Sequence, residues 1–335
     1  SVIEQRTGVR LEIVSVAVRN MSRDRDVQLS EGLLTRDAHS VVADPNVDLV
    51  VEMIGGIEPA RELISSALAA GKPVVTANKE LLANVGTELY AAADAAGVDL
   101  LFEAAVAGGV PVIRALRESL RGEPVSRVMG IINGTTNFIL SEMRDKGLDF
   151  EVVLKEAQRL GYAESDPTFD IEGVDAAHKV TLMSAIAFGI PVQFDKAYVE
   201  GITKLGAADI KYAEQLGYRI KLLGITKRTN AGIELRVHPS LVPTQRLIAN
   251  VEGAMNAVMV QGDAVGTTLY YGKGAGSEPT ASAVIADLVD ITRLHTADPL
   301  NRVPHLAFQP DAMSTTQILP MTDVVTSYYL RLRVA

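Results

Sequence analysis

The chain has 335 residues, 47% of them hydrophobic, enough for about two domains of ~100–200 residues with sizeable cores. Thirty-two Lys and Arg stand against 41 Asp and Glu, a formal charge of −9, which argues against nucleic acid as the main partner. Cysteine is absent, which excludes disulfides, Cys-ligated zinc, iron–sulfur clusters and thiolate catalysis, including aldehyde oxidation through a thiohemiacetal. The five histidines show no HxH or HxxxH spacing, and all five (His39, His178, His238, His295, His305) read as structural. No apolar run reaches the ~18–20 residues of a membrane span, and no basic-then-apolar signal opens the chain. These features predict a soluble, cytoplasmic α/β enzyme with no nucleic-acid or membrane partner.

In chain order, Leu11–Val18 is a short β-branched run that predicts a buried strand, followed by a polar loop over 20–27. Val47–Met53 predicts a second strand, ending at Gly55-Gly56. Glu58–Ala70 predicts a helix closed by Gly71. Pro73–Thr76 and Val98–Phe102 predict two more strands, with a helix over Lys79–Ala96 between them, stopped by Gly97. Strict alternation with short connections is the pattern of a doubly wound parallel sheet. Ligands of such sheets sit beyond the carboxyl ends of the strands. Arg19, Ile54 to Gly56, Thr76 to Lys79 and Glu103 are therefore expected on one rim.

The rhythm changes near Val125. A strand over 125–132 leads through Asn133-Gly134 into a helix near 136–145. Phe150–Leu160 and Val174–Gly189 predict helices, and Tyr198–Gly201 with the segment to Leu216 also looks helical. Leu222–Thr226, Ile233–Pro239, Ala257–Gly262 and Thr267–Tyr271 read as antiparallel strands before a glycine loop and a helix over Thr280–Leu294. The second half is thus α+β. The exposed ends of its strands call for a cover, which a second copy of the chain would supply.

Five segments carry chemistry, each with a plain structural alternative. From Gly161 to Lys179 (GYAESDPTFDIEGVDAAHK), five carboxylates fall within twelve residues, ahead of an apolar helix. A loop this acidic repels itself unless it holds a cation or an amine. Asp175 and Lys179, four apart, share a helix face. A lysine on so buried a helix is either paired or has a lowered pKa suited to proton transfer. The alternative is a simple i,i+4 salt bridge beside a solvated loop. Thr76-Ala-Asn78-Lys79 sets a lysine at a strand's carboxyl end, or merely a surface lysine after an Asn N-cap. Glu103-Ala-Ala-Val106-Ala-Gly108-Gly109-Val110-Pro111 offers carbonyls beside one carboxylate, suited to a hard cation, or tight packing before a helix opened by Pro111. Asn133-Gly134-Thr135-Thr136-Asn137 opens a helix N-terminus that can take an anion or a nicotinamide amide, or is an ordinary Thr N-cap. Gly272-Lys273-Gly274-Ala275-Gly276 looks like a loop for close ligand approach, or a hairpin exit. It is not a P-loop, because the GxxxxGK[ST] order is missing.

In this order and spacing, TANK, FEAAVAGGVP, GIINGTTNFI, GYAESDPTFDIEGVDAAHK and GKGAG resemble the homoserine dehydrogenases, over about residues 10–325. The resemblance implies a Rossmann-type NAD(P)-binding domain over 1–125, completed by a helix returning near 280–295. It implies a substrate-binding and dimerisation domain over 126–279, a tail over 296–325, and the opening strand of an ACT domain over 326–335. The implied reaction is reversible hydride transfer between L-homoserine and L-aspartate 4-semialdehyde, in threonine, methionine and isoleucine biosynthesis. Lys179 and Lys79 are expected to act at the reacting oxygen, with Asp175 orienting both lysine and substrate. Glu164 is expected to hold the substrate ammonium, supported by Asp170 and Thr135. Arg19, Ile54, Gly55, Thr76, Lys79, Gly134, Gly161 and Gly276 are expected to border the cofactor. Glu103, with the backbone of Val106, Gly108 and Val110, resembles the family's sodium site. Arg19, at a strand end where NAD-preferring folds often carry an acid, favours NADPH over NADH. The expected assembly is a homodimer or a dimer of dimers. One departure stands out: no GxGxxG precedes Leu11, so the family's first strand, its phosphate loop and most of its first helix are expected to be missing here. Competing readings are a non-catalytic relative without the cofactor cradle, or another amino-acid semialdehyde reductase.

Overall fold

The computed structural model describes residues 4, 10–25, 27–294, 305, 306, 308 and 312–332. The run from Leu11 forms only a two-residue strand, β1 (Val16–Ala17), paired in parallel with β2 (Leu34–Thr35). Ile13 and Val14 stay exposed: among the described residues no neighbouring strand offers them a ladder, and apolar pattern alone does not make a strand. This small sheet is separate from the next one. Arg19, at its end, is exposed and does not belong to the sheet that carries Ile54 and Thr76, contrary to the expectation of a single rim. Helix α1 (Ala38–Ala43) follows, capped by the Asp37 carboxylate.

The doubly wound core is a parallel sheet of β3 (Val50–Glu52), β4 (Val74–Thr76) and β5 (Leu100–Leu101), linked by α2 (Ala60–Ala69) and α3 (Lys79–Ala96). Side chains alternate across a strand, and here the alternation decides what each face meets. Val74 and Leu100 join the cluster of Ile64, Leu68 and Leu89 on α2 and α3. Val75 and Leu101 point the other way, to Val284, Leu288 and Ile291 on the helix Ser277–Leu294. That helix returns nearly 180 residues later to close the second face. Asp287 fixes it in place by accepting the Glu103 backbone N–H at 2.8 Å.

The second sheet runs in the order β11-β10-β6-β8-β9-β12, with β7 added on β9. Its members are β6 (Val125–Ile131), β7 (Tyr198–Val199), β8 (Tyr218–Arg228), β9 (Ile233–Pro243), β10 (Met255–Gly262), β11 (Thr267–Lys273) and β12 (Ile318–Leu319). Helices α4 (Gly134–Lys146), α5 (Phe150–Arg159), α6 (Val174–Phe188) and α7 (Ala207–Gln215) fall between them, and α8 is the returning helix Ser277–Leu294. The apolar helix α6 lies against β6, β8 and β9. The opposite face is closed by a 3-10 turn whose Ile248 and Ala249 pack with Val251 on Ile131, Leu223 and Ile225.

Two expectations are corrected. Tyr198–Gly201 is not helical: Tyr198 and Val199 pair in parallel with Arg236 and Val237, where a β-branched and an aromatic residue fit a sheet edge. Residues 328–332 form no strand. Tyr329 donates its hydroxyl to Asp209 Oδ1 at 3.1 Å and Arg331 pairs with the same carboxylate at 3.0 Å, so the alternating side chains dock on helix α7, which offers no backbone ladder. Residues 333–335 and His295 lie outside the described residues, as does much of the 296–325 segment.

Candidate active site

The first turn of α3 and the first two turns of α6 meet where the two sheets adjoin, since α3 packs directly on α6. Asn78 caps α3 by accepting the Leu81 N–H at 3.0 Å, which starts the helix at Lys79 and aims that lysine at α6. Asp175 and Lys179 are one turn apart on α6, as their spacing predicts. Asp175 is almost fully buried and joins three elements. Its Oδ2 accepts the Lys179 ammonium at 2.7 Å, and its Oδ1 lies 3.3 Å from Lys79 Nζ. Lys179 also donates to the Ile132 carbonyl at 2.8 Å. Of the two readings of this lysine, the paired one holds.

Burial pushes the Asp175 carboxyl up, but Lys179 and then Lys79 outweigh it and hold the pKa down to about 2. Asp170, on the helical turn Thr168–Ile171, is held above the ordinary carboxylate range by its burial and then by the charge of Asp175. Like charges at close quarters push one partner up. His178 is buried between Phe169 and Phe194, at 5.2 and 4.3 Å between ring centres. Burial drives its pKa down to about 4, against the pull of Asp175. It is a neutral packing ring, as expected.

The acidic segment is largely satisfied within the chain. Asp166 accepts the Thr168 N–H, Glu172 the Thr203 hydroxyl, and Asp170 the Asn133 amide. Glu164 is the exception: it is exposed, and its side chain has no hydrogen bond or ion pair among the described residues. The residue that sequence reasoning passed over is Asn133. It, not a threonine, caps α4, accepting from the Thr136 N–H at 2.8 Å. Its amide nitrogen donates to Asp170 Oδ1 at 2.7 Å and Asp175 Oδ2 at 2.8 Å. The signal was available as an Asn at the N-cap position opposite an acidic loop, but the loop's approach is a tertiary fact.

Two family models match the chain. One, described as the NAD-binding domain of homoserine dehydrogenase, covers residues 1–103; the other, described as homoserine dehydrogenase, covers residues 111–289. The chain is 59% identical over 331 residues to a homoserine dehydrogenase of Pseudomonas aeruginosa, which spans 99% of this chain and 76% of that protein. A homoserine dehydrogenase of Neisseria gonorrhoeae is 56% identical, with 99% and 76% covered. A crystal structure of a homoserine dehydrogenase from Thiobacillus denitrificans aligns with a TM-score of 0.92 at 66% identity, over 96% of this chain and 74% of that one. A hyperthermophilic archaeal homoserine dehydrogenase in complex with NADPH aligns at 0.68 and 28% identity, over 77% and 75%.

The chain belongs to the homoserine dehydrogenase family.

Homoserine dehydrogenases are NAD(P)-dependent oxidoreductases, and the sheet β3-β4-β5 is this chain's Rossmann-like element. Along its carboxyl rim, Ile54 and Gly55 are exposed, and the backbone N–H groups of both bind the Glu52 carboxylate at 2.6 and 3.0 Å. Thr76 is fully buried and donates its hydroxyl to the same carboxylate at 2.6 Å, so it shapes the rim from within. Thr135 spends its hydroxyl proton on the Tyr162 carbonyl, at 2.7 Å. Gly161 ends α5 in the left-handed region with open space around it. Gly134 is required by the chain itself, because a Cβ there would lie 2.7 Å from the Ala254 carbonyl oxygen.

The glycines of the GKGAG loop also serve an internal fit. A Cβ on Gly108 would lie 2.7 Å from the Gly274 carbonyl oxygen, and the Gly109 N–H donates to the Lys273 carbonyl at 3.0 Å. The glycines let two segments of this homoserine dehydrogenase chain touch backbone to backbone, while Gly276 stays exposed. At the loop's base, Glu103 is buried and accepts the Ile113 and Arg114 N–H groups at 3.1 and 2.7 Å. Burial, then Asp287, push its pKa up to about 7.

Proposed function

We propose that the protein interconverts L-homoserine and L-aspartate 4-semialdehyde with NADP(H) as the preferred cofactor, in the biosynthesis of threonine, methionine and isoleucine. The observation that carries this reading is the buried carboxylate of Asp175 between two lysines from different domains. An ammonium has three protons to donate. Lys179 commits one to Asp175 and one to Ile132, which leaves one for a substrate oxygen. Lys79, more exposed and held by a single longer contact, can reach the same oxygen from the cofactor side.

The bound nicotinamide supplies the hydride acceptor or donor. In the reducing direction Lys179 gives its free proton to the oxygen as negative charge develops there, and Lys79 stabilises that charge. In the oxidising direction the alcohol proton returns to Lys179. Asp175 keeps both ammonium groups aimed at one point, which is positioning fixed in advance of the reaction. Glu164, unpartnered on the acidic loop, is the group proposed for the substrate ammonium, with Asp170 and Thr135 beside it.

The residues of the rim fit a dinucleotide only in part. Ile54 and Gly55 lie open at the strand ends, and exposed Arg19 suits a 2′-phosphate, whereas Thr76 is occupied by Glu52. For a monovalent cation the residues fit better. Glu103 is a buried carboxylate whose charge is undercompensated, and Ala107 and Gly108, at φ 55° and 41°, turn successive carbonyls. Glu103 with the carbonyls of Val106, Gly108 and Val110 would hold Na+, stiffening the loop under the active site.

Spectrophotometric turnover at 340 nm tests these assignments together. The expected result is NADP+-dependent oxidation of L-homoserine, with kcat/KM for NADPH above that for NADH in the reverse direction. KM for homoserine should rise for Glu164→Gln, and activity should fall when Na+ is replaced by N-methylglucamine. A clear NADH preference removes the role of Arg19, and indifference to Na+ removes the cation.

We further propose a homodimer, or a dimer of dimers, built on the second sheet. Among the described residues the edge strand β11 is unpaired along one side, and it carries exposed Tyr271, an edge that natural sheets cover. Sedimentation velocity should show a dimer at micromolar concentration; a monomer there rejects the assembly.

A further inference from the structure

Two carboxylates, Asp170 and Asp175, face each other at the proposed substrate site, and one side chain lies between them. Asn133 is 5% exposed, and every bonding position on its amide is taken. Its nitrogen carries two hydrogens, one directed to Asp170 Oδ1 at 2.7 Å and the other to Asp175 Oδ2 at 2.8 Å. Its oxygen accepts from the Thr136 N–H and hydroxyl, at 2.8 and 2.9 Å. The amide orientation is dictated by chemistry: reversed, it would aim an oxygen at two carboxylates and an NH2 at a backbone N–H. With no capacity left, Asn133 is not a ligand-binding group, although its segment opens a helix N-terminus.

We propose that Asn133 is a positioning residue that couples the two carboxylates, holding Asp170 in place beside the Asp175–Lys179 pair. This rests on the function proposed above. Its geometry separates two duties that one residue performs. The oxygen caps α4, a structural task that Ser, Thr or Asp also perform. The nitrogen bridges two like charges, a task that needs an NH2 group. Without the bridge, Asp170 keeps the repulsion of Asp175 and loses a charge-assisted hydrogen bond.

The groups facing this pair can be named element by element. From α6 come Lys179 and neutral His178, from α3 comes Lys79, and at the start of α4 stand Asn133 and Thr135. Lys79, Lys179 and Thr135 remain when Asn133 is changed, so a substitution that keeps the cap alters the bridge alone.

Asn133→Ser keeps the cap and removes the bridge, whereas Asn133→Ala removes both. The titration of Asp170 is read by carbon-detected carboxyl NMR, together with the pH profile of kcat/KM and the melting temperature. In Asn133→Ser the Asp170 midpoint should rise by roughly one pH unit, the equivalent of one charged hydrogen bond. The acid limb of kcat/KM should rise with it, while the melting temperature at neutral pH falls only by the small amount that this shift implies, and falls further for Asn133→Ala, which also loses the cap. An Asp170 midpoint unchanged in Asn133→Ser overturns the proposal and leaves Asn133 as a helix cap alone. The NMR titration needs no turnover. If the unaltered protein fails to oxidise homoserine, the functional reading falls while the titration still decides the role of Asn133.

Discussion

Lys179→Met should lower kcat by about 10²–10⁴-fold, the range that a positioned acid–base group contributes, with a much smaller change in KM for homoserine. The reason lies in the bonding of that ammonium. Two of its protons are fixed by Asp175 and the Ile132 carbonyl, so the third has a defined direction, and methionine keeps the buried stem while removing every proton. Asp175 retains Lys79 and Asn133 as partners in the variant, which tempers the cost of a buried charge losing one counter-ion. Circular dichroism and the melting temperature should therefore report a folded protein at the assay temperature. A folded Lys179→Met protein with near-normal kcat would show that Lys179 serves only to pair Asp175. Lys179→Arg is the informative companion. It keeps the charge and the pair, but a guanidinium does not give up a proton in this range, so turnover should remain low while stability recovers.

Asp175→Asn is expected to damage both stability and activity, through the same two lysines. The folded carboxyl titrates at about 2, below its ordinary 3.8. A group lowered on folding stabilises the protein in full above its unfolded pKa, and that stabilisation fades as pH falls through the folded value. The window is thus from about pH 4 down to about pH 2, and at pH 7 the contribution is whole, roughly 2 kcal/mol. Asp175→Asn forfeits it at every pH and leaves two neighbouring ammonium groups without their shared counter-charge. Urea unfolding at pH 7 should show a lower midpoint than the unaltered protein. The loss should shrink as both are compared at lower pH, because the aspartate protonates while the asparagine does not change. A constant difference across that window would mean that packing, rather than charge, sets the effect. Activity should fall with it, since neither lysine is then aimed at a common point.

Much of the candidate site was legible in the residues themselves. The spacing of Asp175 and Lys179 put them on one helix face, and Asn78 before Lys79 announced a capped helix at a strand end; both are local rules, obeyed because each helix supplies its own geometry. The pairing of Lys79 with Asp175 was not legible. It joins residues nearly a hundred positions apart and depends on α3 packing against α6. Asn133 was missed for the same reason: its cap is local, but its bridge requires the acidic segment to fold back over the start of α4. The glycines of GKGAG read as a ligand loop because sequence shows only that backbone must come close to something, and here it is the Gly108-Gly109 segment.

The elements followed the same division. Val74–Thr76 and Val174–Phe188 formed nearly where their apolar patterns placed them, since a run buried on all sides has few alternatives. The runs at 11–18 and 328–332 did not form the strands expected of them, and 198–201 paired as a strand instead of a helix, because a strand exists only where a neighbour completes its hydrogen bonds. By itself the sequence determined the family, the alternating α/β order, the absence of any cysteine chemistry and the identity of the lysine–aspartate pair, because these depend on residue types and short spacings. Only the tertiary structure decided that one buried carboxylate serves two lysines from separate domains, and that one amide holds two carboxylates together. Both arrangements are contacts between groups far apart in the chain, whose energies arise only once folding has removed them from water.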